Sequence, residues 1–225
     1  MFREFFSVFR SDDPLSAMGE RFTRMLGLTS DMALAAARIY FDGASPEGRQ
    51  ALYEQDIQVN KLEREIRKLI VTHLSVRSRP VDVPYCLLLL SLIKDVERLG
   101  DYAKNLAELT TLGGGPPPDD ALGAELRAIR AHVEMMFRDT PDVLTTADRD
   151  RAVKMIEEGR GYTKRCDELM KRVAASGYDS PVAVSMALGG RYYKRFAAHL
   201  LNLLTSVVMP LHKLDFFDEK AVVQE

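Results

Sequence analysis

Apolar residues recur along this chain in steps of three and four, in six long runs cut apart by turn residues. The first run opens at Asp12-Asp13-Pro14, a capping acid with proline early in the first turn. Met18, Phe22, Met25, Thr29, Met32, Ala36 and Ile39 share its stripe, and Gly43 breaks it. A second run opens at Ser45-Pro46-Glu47 and reaches about Ser78, with Val59, Leu62, Ile66 and Leu69 on one face; Arg79-Pro80 ends it. The third spans Pro84 to about Thr111. The fourth carries Leu122, Leu126, Ile129, Val133 and Met136, and Thr140-Pro141 is predicted to stop it. The fifth is predicted to start near Thr145 or Thr146, aligns Tyr162, Cys166, Leu169 and Val173, and stops at Gly177. The sixth runs from Pro181 to about Met209, before Pro210.

Steps of three and four are the seam of packed antiparallel helices, and no segment holds a sustained two-residue alternation. The expected fold class is therefore all-α. Gly113-Gly114-Gly115-Pro116-Pro117-Pro118 cannot continue a helix and is the clearest linker. It divides the chain into a first three-helix bundle over 1–112, a linker over 113–119 and a second three-helix bundle over 120–225. Whether the bundles lie side by side or end to end is not legible from the pattern.

The halves repeat one another. A shift of about 97 residues lays Asp179-Ser180-Pro181 on Asp82-Val83-Pro84. It also lays Gly189, Tyr193, Phe196, Leu200 and Leu203 on Leu92, Val96, Leu99, Ala103 and Leu106. Arg195 meets Arg98, and Asn202 meets Asn105. Between these anchors the first copy has the acids Glu97 and Asp101, where the second has Lys194 and Ala198.

Composition narrows the possible chemistry. Net charge is −2, with acids and bases mixed along the chain, so no clustered basic face suggests a nucleic-acid partner. The two cysteines lie inside helical patterns, which speaks against a disulfide framework and suits a reducing cytoplasm. The longest apolar run, Tyr85 to Ile93, is about nine residues, against about twenty for a span. No Glu-x-x-His pair or phosphate-cradling loop occurs, and the four histidines are scattered. Phe2, Phe5, Phe6 and Phe9 fall at helical spacing beside Arg3 and Arg10. They are expected to dock on the protein's own bundle or a dimer mate, ahead of a peripheral membrane contact.

Helix geometry defines a candidate site. Glu97 and Asp101, four residues apart, stack one turn apart on one face, which the helical wheel sets roughly opposite the seam of Leu92, Val96, Leu99 and Ala103. Asn105 continues this row, and Asp56, Asn60 and Glu63 form a second polar row on the preceding helix. Like charges at this spacing repel by a few tenths of a kcal/mol, and a shared cation would relieve that. Lys94 and Lys104 could also neutralise the row without any metal.

The run Val96-Glu97-Arg98-Leu99-Gly100-Asp101-Tyr102-Ala103-Lys104-Asn105-Leu106-Ala107-Glu108 resembles the signature of the PhoU family of phosphate-uptake regulators. Asp56-Ile57-Gln58-Val59-Asn60 with Glu63 is similar to that family's segment on the helix before. The resemblance implies a tandem pair of three-helix bundles in a non-enzymatic cytoplasmic regulator, at most peripheral to the membrane. It implies contact with the ATPase of the phosphate ABC transporter and with a sensor histidine kinase, and a homo-oligomer such as a dimer. It also implies a metal, iron, zinc or another divalent cation, on Glu97 and Asp101 with Asp56 helping. No metal is expected at the degenerate second position, where Lys194 repels a cation and Ala198 offers no oxygen; His199 beside it is expected to be packed or solvated. That loss leaves as an alternative an accessory of a proton- or sodium-coupled phosphate permease; the residues themselves also allow a helical-bundle metalloenzyme using Glu97, Asp101 and Asp56, or a pure helical scaffold with the acids as solvated surface.

Overall fold

The computed structural model describes residues 14–43, 46–76 and 79–215. The phenylalanines at 2, 5, 6 and 9, the acids Asp12 and Asp13, and Phe216-Phe217 lie outside them. Among the described residues six long helices make up the architecture: α1 Pro14–Asp42, α2 Pro46–Val76, α3 Val83–Glu108, α4 Ala121–Thr146, α5 Arg149–Ala174 and α6 Ser180–Val208. Short 3-10 turns at Pro80–Asp82 and Leu109–Leu112 flank α3.

The three helix starts of the second bundle have a local cause. Asp120 accepts from the Leu122 and Gly123 amides at 2.9 Å, Asp148 from Arg151 at 3.0 Å and Asp179 from Val182 at 3.1 Å. Each thereby satisfies amides that the first helical turn leaves without a partner. Asp82 stands in register with Asp179 but does not cap α3. Its buried carboxylate instead takes His73 Nε2 at 2.9 Å and Arg79 Nη2 at 3.0 Å. The Gly113 backbone adopts φ 76°, the left-handed turn that takes the chain away from the 3-10 turn after α3.

The end of α4 corrects the expected stop at Pro141. The helix continues through Pro141 to Thr146, and α5 starts at Arg149 behind its Asp148 cap. An interior proline costs about 3 kcal/mol. Beyond it Val143 and Leu144 are both fully buried, and two such side chains return about 1.5–3 kcal/mol each. Thr145 and Thr146 do not open α5; their hydroxyls donate back to Pro141 O at 2.7 Å and Asp142 O at 2.8 Å.

The apolar stripes become the core. Met18, Met25, Met32 and Ala36 of α1, Val59 and Ile66 of α2, and Ile129 and Met136 of α4 are fully buried. So are the repeat positions Val96, Leu99, Ala103 and Leu106, with Leu200 and Leu203 opposite them in the second copy. Helices α1–α3 form one bundle and α4–α6 the other. The bundles lie side by side, α3 along α6 and α1 along α4, around a single continuous core. Gly189 permits one close approach: Tyr40 of α1 reaches over it to donate to Ser185 O of α6 at 3.0 Å. A Cβ at Gly189 would lie 2.7 Å from the tyrosine hydroxyl.

Candidate functional site

The motif helix α3 packs against α1, α2 and α6. With neighbours on three sides, the face opposite its seam is not open solvent. Glu97 and Asp101 were expected to face outward, yet their side chains keep 13% and 29% of their exposure. Gly100 between them sits against Thr29 and Met32 of α1 and Asp56 of α2, where an added Cβ would make ordinary contacts of 3.5–3.7 Å. A small residue here brings α3 close enough to α2 for the two polar rows to meet.

Cationic side chains already engage the row. Lys94 Nζ lies 2.7 Å from Glu97 Oε2, and Arg98 Nε lies 3.7 Å from the same oxygen. Arg98 Nη1 also meets Asp101 Oδ2 at 3.2 Å. Lys104 Nζ sits between the helices, 3.2 Å from Asp101 Oδ1 and 2.8 Å from Asp56 Oδ2. Asn60 donates to that same Asp56 oxygen at 3.1 Å. Burial works against the charge on Lys104, but hydrogen bonds to Asp56 and Asp101, reinforced by their charges, hold its ammonium above the usual lysine range. Glu63 is buried and takes Arg67 Nη2 at 2.7 Å, while Asn105 is half-buried. At the motif's end, Tyr53 of α2 donates to Glu108.

The second bundle replaces this arrangement. Lys194 Nζ meets both oxygens of Asp167 on α5, at 2.7 and 2.6 Å. Ala198, one turn further along α6, contributes no polar atom.

The donors present do not fit the metal that the resemblance implies. Glu97 is engaged by Lys94 and Arg98, and an ammonium already bridges Asp56 and Asp101. Among the described residues no group of three or more His, Cys, Asp and Glu side chains converges to hold an ion. Thiol chemistry is equally poorly served: burial pushes Cys86 up to about 11 and Cys166 up to about 12, so both thiols stay protonated.

One polar cluster escaped the sequence reading. Asp95 of α3 is buried at the seam between the bundles. Its Oδ1 takes His199 Nδ1 at 2.7 Å and the Asn202 amide at 2.9 Å, both from α6. The Tyr102 ring stacks on His199 at 5.7 Å and lies 6.0 Å from Tyr192. The signal was present in the chain: Asp95 interrupts the apolar spacing of Leu88, Leu92 and Leu99. His199, expected to be packed or solvated, is half-buried with a carboxylate partner contributed by the other half.

Three comparisons with known proteins bear on this arrangement. The model of the PhoU domain matches residues 22–110, which take in most of α1, all of α2 and α3, and the whole acidic row. Among curated proteins none matches the chain by sequence. The crystal structure of PhoU from Pseudomonas aeruginosa superposes with a TM-score of 0.79 at 21% identity, covering 88% of this chain and 97% of that one. The structure of the phosphate transport system regulatory protein PhoU from Streptococcus pneumoniae gives 0.74 at 15% identity, covering 86% and 92%. The first bundle of this chain is therefore similar to a PhoU domain, and its six helices together have the PhoU fold.

Proposed function

We propose that this protein regulates phosphate uptake and phosphate-starvation signalling through protein–protein contact, and that it is not an enzyme. The observation that carries this reading is the coincidence of the PhoU domain over 22–110 with the PhoU fold of both bundles. The Streptococcus pneumoniae relative is named a phosphate transport regulatory protein. The partners that suit the reading are the ATPase of the phosphate ABC transporter and its sensor histidine kinase, met at the cytoplasmic face of the membrane. No helix among the described residues is long and apolar enough to cross a bilayer, so any membrane association is peripheral in this proposal. Self-association into a dimer belongs to the same proposal and is measured by sedimentation.

A second reading has its own support. The altered second site, with Lys194 bound to Asp167 and Ala198 beside it, fits an accessory of a proton- or sodium-coupled phosphate permease equally well. Deleting the gene tests both readings. Derepressed phosphate-starvation genes support the ABC-transporter reading, whereas altered uptake with normal gene expression supports the permease reading. Unchanged expression together with unchanged uptake counts against both.

A further inference from the structure

The acidic row has the charge of a metal site and an internal occupant. Lys104 lies on the same helix as Asp101, three residues on, and its ammonium reaches across to Asp56 of α2. Its side chain keeps 18% of its exposure and that of Asp56 keeps 12%, so the contact is shielded between two helices. Asn60 directs an amide hydrogen at the same Asp56 oxygen, which fixes the carboxylate where the ammonium meets it. In the second bundle Lys194, in register with Glu97, likewise reaches the preceding helix, where it meets the single carboxylate of Asp167.

We propose that Lys104 is a tethered counter-ion that takes the place of a divalent metal, so that the acidic face of the first bundle is held together by the chain's own ammonium and works without an exogenous ion. The inference rests on the ion-pair geometry and stands whether or not the phosphate-uptake reading holds. A divalent ion binds carboxylate oxygens at about 2.0–2.6 Å. To do so here it must expel an ammonium from two carboxylates at once. The covalent tether then keeps that charge close by, where it repels the incoming ion and competes to return. Removing the ammonium while keeping the carboxylates leaves two acids on facing helices with no internal cation.

The test uses the full chain purified without chelator. Elemental analysis for iron, zinc and manganese is combined with calorimetric titration of Mn²⁺ and Zn²⁺ into the wild type, Lys104→Gln, Lys104→Met and the double variant Lys104→Gln with Asp101→Asn. The wild type is expected to retain no stoichiometric metal. Both single variants are expected to bind Mn²⁺ or Zn²⁺ roughly 10–100-fold more tightly than the wild type, and the added Asp101→Asn change is expected to erase that gain. A wild-type protein that holds about one equivalent of metal, released by Asp101→Asn, overturns the proposal without recourse to any Lys104 variant. So does an affinity unchanged in both Lys104 variants when their circular dichroism matches the wild type.

Discussion

His132 shows how a single residue can set a response to pH. It is buried in α4 and lies flat on the Tyr162 ring of α5, centroids 3.6 Å apart, and its Nε2 has no hydrogen-bond partner. Burial pushes its imidazole below the usual histidine value; Glu158 opposes the shift and Arg165 adds to it. A histidine that is harder to protonate when folded binds its proton preferentially in the unfolded chain. Its contribution to stability is therefore whole above about pH 6.5 and shrinks as pH falls below that value. His132→Phe keeps the stacked ring and removes the titration. The variant is expected to flatten the decline in urea-denaturation stability between about pH 6.5 and 5, and an unchanged slope would assign that decline to other groups. At this scale the sequence was least legible. Periodicity places His132 on a helix, but it does not reveal which ring lies over it. In the same way Lys104 was readable as a neighbour of the acidic row, while its reach to Asp56 depended on how closely α3 approaches α2.

At the scale of elements most of the architecture could be read. The six stripes, their order and the Gly/Pro linker follow from helical spacing and turn residues, because burial favours one face of each helix whatever its neighbours are. The failures came where local chemistry met tertiary packing. Pro141 reads as a stop, and core burial of Val143 and Leu144 carries α4 past it. Asp82 and Asp179 read as equivalent openings, but only Asp179 caps its helix, since Asp82 is drawn to His73 and Arg79. The difference can be measured. Asp179→Ala is expected to cost about 0.5–2 kcal/mol through the lost bond to the Val182 amide, or about 2–4 °C of melting temperature per kcal/mol for a chain of this size. Restoring a cap with Asp179→Asn is expected to recover most of it, and a melting temperature unmoved by the alanine would show the cap to be dispensable.

For the whole molecule, the side-by-side docking of the bundles was not legible, because the faces that meet are continuous with each bundle's own apolar stripe. One core runs through both halves, so a change at the seam is expected to be felt everywhere. Asp95→Ala strands His199 and Asn202 at that seam. The expected cost is about 1–3 kcal/mol, read in urea as an earlier midpoint of one transition, with fluorescence and circular dichroism coinciding. Separate transitions for the two halves would show that the shared core does not couple them.

The cross-bundle contact also records how far the duplicated halves have drifted apart. Under the 97-residue shift Asp95 corresponds to Tyr192 and His199 to Tyr102. The counterpart of the Asp95–His199 hydrogen bond is thus the pairing of those two tyrosine rings. Two copies of the first half would set Asp95 against Tyr102, and two copies of the second would set His199 against Tyr192; neither gives the carboxylate its ring nitrogen. Each half is thus a poor mate for its own twin and a good one for its sibling, so the chain is committed to one copy of each.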